Sequence, residues 1–213
     1  LRRLLGLGLW ATLAWAAFAQ NLASPPLFSA KELKQTRDKY GELAARRLLA
    51  WQALVQDNQD KPERLKLSLV NDFFSQATLS DDKTLWKKDD YWATPVEFLA
   101  RDAGDAEDYV IAKYFTLIAL GVDENKLYFT YVSSSRLRQA HMVLTYFRSP
   151  RAQPLILDSL TDRILKASER ADLTPIYSFN AQGALAGQRQ SDLQDSMHEW
   201  NRMLRRMRDG VVN

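Results

Sequence analysis

The segment 106–120 limits the possible folds of this chain more than any other. Val110, Ile111, Tyr114, Phe115, Leu117 and Ile118 recur at helical spacing and leave little of the circumference polar. A helix that is apolar nearly all round must be covered on every side, so it is read as the buried central helix of the domain. Directly after it the hydrophobic period drops from 3.6 to 2. Strands are expected at 127–132, 140–147 and 154–158, with Ser149-Pro150 turning the chain between the second and third. One more strand is expected near Ile176-Tyr177-Ser178-Phe179, in an otherwise loop-rich stretch from 162 to 190. Helices followed by an antiparallel meander define an α+β fold, with the central helix packed on an antiparallel sheet.

The helices before this core carry their own start signals. Ser29 and Glu32 form a capping box. The helix it opens is expected to run to about residue 56, with Leu33, Tyr40, Leu43, Leu48, Trp51 and Leu54 along one stripe. Pro62 opens a second helix that turns Leu65, Leu69, Val70, Phe73 and Phe74 inward, and the two are read as an antiparallel pair. Residues 79–93 are polar and irregular, with Asp81, Asp82, Asp89 and Asp90 set among Trp86, Tyr91 and Trp92. Thr94 and Pro95 then cap and begin a short helix to about residue 100. At the far end, Ser191 and Gln194 make another capping box. Leu193, Met197, Trp200, Leu204 and Met207 form one face of that terminal helix, and Arg202, Arg205, Arg206 and Arg208 crowd the other. A docked helix is the preferred reading over a basic helix lying on a membrane.

A chain of 213 residues, 46% hydrophobic and 26% charged, fits one globular domain with appendages. Arg2 and Arg3 precede an apolar run over 4–18 that ends in Ala17-Phe18-Ala19. This is the pattern of a secretory leader over 1–19, and the run is short for a membrane span. A linker over 20–28 follows, then the domain over 29–190 (a helical pair over 29–78 and a core over 79–190) and the terminal helix over 191–213. Lys and Arg number 29 against 26 Asp and Glu, and loss of the two leader arginines brings these almost level. No nucleic-acid footprint remains. The chain has no cysteine, so no disulfide can form.

The segment Gly104-Asp105-Ala106-Glu107-Asp108-Tyr109 opens the central helix, and His141 and Asp158 follow on strand segments. This is the chain order of a thiol enzyme of the papain or transglutaminase kind, with alanine where the sulfur would stand. Such chemistry needs a thiolate stabilised by a helix start, a histidine to take the proton, and an acid to orient the imidazole. His141 shares a strand face with Val143 and Thr145, opposite Met142 and Leu144, and Asp158 ends the neighbouring strand. Taken singly, a strand histidine such as His141 is more often structural than catalytic, and Asp158 alone could cap a turn; His198 is given no role. Asp105, Glu107 and Asp108 would repel a thiolate at position 106 and raise its pKa. Either they cap and complement the helix dipole, or they hold a hard cation that wants 6–8 oxygen ligands.

Several motifs in order resemble one family. They are Asn71-Asp72-Phe73-Phe74, Asp90-Tyr91-Trp92-Ala93-Thr94-Pro95-Val96-Glu97-Phe98-Leu99, the Gly104 to Tyr109 segment, and Ile111-Ala112-Lys113-Tyr114-Phe115. Gln139-Ala140-His141-Met142-Val143-Leu144, Leu157-Asp158 and Tyr177-Ser178-Phe179-Asn180 complete the set. From about residue 71 to 180 the chain resembles the bacterial transglutaminase-like cysteine proteinases, and within them the LapG-type periplasmic adhesin proteases. The resemblance implies a papain/transglutaminase-like domain, a catalytic Cys at the position of Ala106, and His141 and Asp158 as its partners. It implies Ca2+ at Asp105, Glu107 and Asp108; whether Asp123 joins them the sequence does not show. By analogy with transglutaminase-like folds, Trp92 is an oxyanion candidate beside the backbone N–H of residue 106; its other reading is a core aromatic. The resemblance also implies a periplasmic location and cleavage of the N-terminal region of a large surface adhesin, which disperses biofilm. The implied regulator is the periplasmic domain of an inner-membrane cyclic-di-GMP receptor. With Ala106 the chain is expected to be inactive; a natural pseudoprotease and a transglutaminase- or amidase-type acyl transferase stay open as alternatives.

Overall fold

A computed structural model describes residues 28–181, 185–187 and 190–209. The expected leader and most of the linker lie outside them. Among the described residues three helices come first: α1 (Ala30–Tyr40), α2 (Glu42–Gln56) and α3 (Glu63–Phe74). The single helix expected over 29–56 is therefore two. Gly41 breaks it, at φ +90°, a conformation that side chains other than glycine rarely adopt. The capping box of Ser29 and Glu32 is formed as expected. The break resets the helical phase, so Leu43 leaves the predicted stripe and is 66% exposed, while Ala44, Ala45, Leu48, Trp51 and Val55 are buried. Leu65 is likewise exposed, and Leu67 and Val70 take the inner face of α3.

The stretch 79–93 holds more order than its composition promised. β1 (Thr78–Leu79) pairs in parallel with β2 (Ala103–Gly104), and α4 (Asp82–Leu85) follows, capped by Asp81. Backbone bonds from Thr78 N to Asp102 O and from Ser80 N to Gly104 O, both 2.9 Å, lash this segment to the approach of the central helix. Between them α5 (Pro95–Arg101) starts with the expected cap at Thr94.

The central helix, α6 (Ala106–Ala119), buries nearly its whole length, including Tyr109, Val110, Ile111, Ala112, Tyr114 and Leu117. It packs on a six-stranded antiparallel sheet: β3 (Leu127–Ser134), β4 (Gln139–Tyr146), β5 (Leu155–Leu157), β6 (Leu165–Lys166), β7 (Leu173–Phe179) and β8 (Leu185–Gly187). Their spatial order is β6-β5-β4-β3-β7-β8. The meander β3-β4-β5 was expected. The stretch 162–190, expected to be mostly loop, supplies β6, β7 and β8, and β7 runs along the open edge of β3. Period-2 alternation puts Met142, Leu144 and Tyr146 of β4 in the main core and Val143 in a smaller cluster with Val132, Ile156 and Leu173.

The terminal helix, α7 (Gln190–Asp209), begins before Ser191, so Ser191 is not its N-cap. It is docked, as preferred. Trp200 and Met203 are buried, and Trp200 stacks on Phe115 with centroids 5.5 Å apart. Arg206, on its basic face, donates to the carbonyl of Trp92 and lies over the Tyr91 ring at 4.2 Å. No described helix is long and apolar enough to cross a membrane.

Candidate active site and cation site

Ala106 is the first residue of α6. A helix leaves its first N–H groups without intrahelical partners, so this is where a negative charge is best received. Ala106, His141 and Leu160 line one cavity of about 450 Å³, together with Leu79, Ser80, Asp81, Asp105, Glu107, Leu137, Gln139 and Ala140. The predicted nucleophile position and the predicted histidine therefore face the same space.

His141 is buried on β4, and its Nε2 lies 2.7 Å from Asp158 Oδ1. That contact leaves Nδ1 as the nitrogen available to the cavity. Asp158 sits just past β5, where the antiparallel pairing of β4 and β5 brings it to His141. Its carboxylate is fully enclosed and well supplied: Leu160 N–H donates to Oδ1 at 3.1 Å, and Arg170 Nη1 lies 2.7 Å from Oδ2. Burial alone would raise its pKa. The bond and charge of His141, the Leu160 N–H and Arg170 outweigh this and hold it down at about 2. Asp158 thus stays ionised and can orient an imidazole and steady an imidazolium. Arg170 is in turn fixed by Asp172, through bonds of 2.9 and 2.8 Å. Sequence reasoning missed Arg170, because it reaches the site from a stretch expected to be loop.

The acidic residues divide into two groups. Asp105 is the N-cap of α6, accepting from Asp108 N, so its expected capping role is real. Asp105 and Asp108 also converge with Asp82, with ligand oxygens all within 4.8 Å of one another. Asp82 was absent from the predicted set; the β1–β2 ladder carries it there across the sequence. Glu107 is not part of this trio: it lines the catalytic cavity with Ala106 and His141. Asp123 lies elsewhere, capping the short 3-10 turn Glu124–Lys126.

The trio fits a hard cation on its own terms. Asp82 Oδ2 accepts from Tyr91 N and Asp108 Oδ1 from Ala93 N, each at 2.6 Å. Their other oxygens, Asp82 Oδ1 and Asp108 Oδ2, are buried without any hydrogen-bond partner. A buried carboxylate oxygen without a donor is costly, and a calcium-sized cation would satisfy both. Burial, reinforced by repulsion from neighbouring carboxylates, pushes the pKa of Asp82 up to about 6 and raises Asp105 and Asp108 well above the usual carboxylate range. Gly104 makes the close packing possible. A Cβ there would lie 2.6 Å from Asp108 Cβ and 2.6 Å from Phe98 Cδ2.

Trp92 lies outside the catalytic cavity. It is buried and stacked on Phe179 with centroids 6.5 Å apart. It lines an adjoining cavity with Tyr131, Ala140 and Tyr177. The N–H of residue 106 remains the donor that the helix start itself provides.

A helix-start position, a histidine and an enclosed acid assembled in this way call for comparison with known thiol enzymes. Residues 51–202 match the family described as bacterial transglutaminase-like cysteine proteinase. The chain belongs to that family. The proteinase assignment thus runs from the last part of α2 into α7, well beyond the catalytic motifs. Among solved structures it is similar to Legionella pneumophila LapG, at 42% identity and a TM-score of 0.72, over 86% of this chain and 99% of that one. The EGTA-treated form of that protein gives the same identity and TM-score, covering 86% of this chain and all of the other. The calcium-bound form gives 40% identity and a TM-score of 0.66, over 80% of this chain and 99% of that one. No curated protein sequence matches the chain. The family is one of cysteine proteinases, while this chain has no cysteine and carries Ala106 at the start of α6.

Proposed function

We propose that this fold is that of a calcium-dependent periplasmic cysteine endopeptidase, held inactive in this chain by Ala106. The observation that carries the reading is the shared cavity of Ala106 and His141, with His141 Nε2 on the enclosed, ionised Asp158. With cysteine at position 106, His141 Nδ1 takes the thiol proton and Asp158 steadies the imidazolium. The helix start favours the thiolate and offers its N–H to the developing oxyanion. The thiolate attacks the scissile carbonyl, His141 returns the proton to the amine as the C–N bond breaks, and a water deprotonated by His141 then hydrolyses the thioester and restores the thiol. A methyl group at 106 supplies neither nucleophile nor proton, which stops the sequence at its first step.

Asp82, Asp105 and Asp108 are the residues that would hold calcium. Bound there, it supplies the positive charge that offsets three carboxylates beside the thiolate, and it secures the first turn of α6. A calcium-bound and an EGTA-treated form of Legionella LapG support this choice of ion. The same likeness supports the substrate and its control. The substrate is the N-terminal region of a large surface adhesin, whose cleavage disperses biofilm, and a cyclic-di-GMP receptor of the inner membrane sequesters the enzyme.

The test is to make Ala106→Cys and incubate it with such an adhesin region, with calcium or with EGTA. Cleavage with calcium and none with EGTA is expected. Binding without cleavage would favour a pseudoprotease, and amine crosslinking a transferase; either outcome would overturn the proposal.

A further inference from the structure

Lys113 is a buried cation to which the catalytic chemistry gives no role. It is 1% exposed, midway along α6, whose other ionisable groups apart from tyrosines, Glu107 and Asp108, lie in the first turn. Its Nζ donates to two acceptors at 2.8 Å: the backbone carbonyl of Asp158 and Asn71 Oδ1. Asn71, on α3, is fully buried and passes the tie onward, its Nδ2 donating to the Asp162 carbonyl at 2.5 Å. Both ends of the turn 158–162 are therefore fastened from below, one to α6 and one to α3. The same turn holds Leu160, whose N–H grips Asp158 and whose side chain lines the catalytic cavity.

The spacing along α6 gives this network a direction. Lys113 follows Ala106 by seven positions, two helical turns, so both lie on nearly the same face, about 10 Å apart along the axis. One rigid helix thus presents the nucleophile position at its start and grips the triad acid two turns below. Burying an ammonium is costly, and here burial pulls the Lys113 pKa down to about 8 against the charge of Asp158. An apolar residue would be the cheaper occupant of this helix, so the cost implies a purpose.

We propose that Lys113 and Asn71 are positioning residues, a buried brace that fixes Asp158, and through it His141, relative to position 106. This rests on the cysteine-proteinase reading of the site. It also gives α3 a part in catalysis: the N-terminal helices are scaffold for the triad.

The test uses two readouts, so that failure of the brace and failure of the proteinase reading can be told apart. The first needs no activity and uses the chain with Ala106. The two histidines, His141 and His198, are distinguished by NMR with a His198→Gln variant. The parent should show a downfield, exchange-protected Nε2 proton on His141, and Lys113→Met should lose that protection. The second readout is turnover after Ala106→Cys. Lys113→Met should lower kcat on the order of 10²-fold through misplacement of the acid, with KM changed by less than about twofold. Asn71→Ser serves as the second variant should Lys113→Met not fold, and Lys113→Arg should recover part of the loss. If a folded Lys113→Met or Asn71→Ser keeps both the protected proton and the parental kcat, the brace is refuted. If neither variant folds, the network serves the fold as a whole and the proposal also fails. If the Ala106→Cys parent is itself inactive, the proteinase reading is at fault and the NMR result still decides the brace.

Discussion

Replacing Gly104 with alanine probes the packing that holds the acidic trio together. Gly104 does not need a left-handed backbone; what it needs is space. The new methyl would stand 2.6 Å from Asp108 Cβ, 2.7 Å from Asp108 Oδ2 and 2.6 Å from Phe98 Cδ2. Neither neighbour can swing away, since Asp108 and Phe98 are both 0% exposed. Gly104 is also pinned by its pairing with Leu79. Overpacking of this kind costs about 1–3 kcal/mol, which for a chain of this size lowers the melting temperature by roughly 2–12 °C. Relief must come from moving Asp108, so calcium binding should weaken at least about tenfold. Thermal denaturation in EGTA isolates the packing cost, and calorimetric titration of calcium isolates the displaced ligand. A variant that melts with the parent and binds calcium equally well would refute both parts of the reasoning.

Other outcomes follow from the same geometry. Asp82, Asp105 and Asp108 have raised folded pKa values, so the metal-free protein should lose stability as pH rises from about 4 through 6 and beyond; calcium should reverse this trend, as melting curves at pH 5 and 7.5 would show. Asp158 has the opposite sign. Its folded pKa of about 2 lies below the usual 3.8, so it contributes about 2–3 kcal/mol at neutral pH, lost as pH falls from about 4 to 2; Asp158→Asn should remove that part of the acid transition. Arg170→Met leaves the enclosed Asp158 Oδ2 without its cation and should cost roughly 3–5 kcal/mol in denaturant titrations. In the Ala106→Cys background it should also lower kcat.

The parts of the fold that could be read in the sequence were those with a local cause. The apolar periodicity of α6, the alternation in β3 and β4, and the caps at Ser29 and Thr94 all act within a few residues, and each was found in place. The break at Gly41 also had a local signal, a lone glycine within a helical pattern, and overlooking it carried Leu43 into the wrong stripe. What could not be read was long-range. Asp82 joins Asp105 only because two short strands pair in parallel. Arg170 reaches Asp158 from the connection between β6 and β7, and the strand expected near 176–179 gave no sign that it would pair along β3. Asn71 and Lys113 were noticed as parts of family motifs, but their meeting beneath Asp158 depends on how α3 packs against α6.

The central claim is that position 106 lies in a working thiolate site, governed by His141 and by a cation, from which one sulfur is missing. The most direct measurement is the pH dependence of iodoacetamide alkylation of the Ala106→Cys protein, with calcium and with EGTA. The account predicts rapid reaction well below the ordinary thiol pKa of about 8.5 when calcium is present, and a shift to higher pH when it is removed. A thiol that titrates at the ordinary value, indifferent both to EGTA and to His141→Ala, would contradict it.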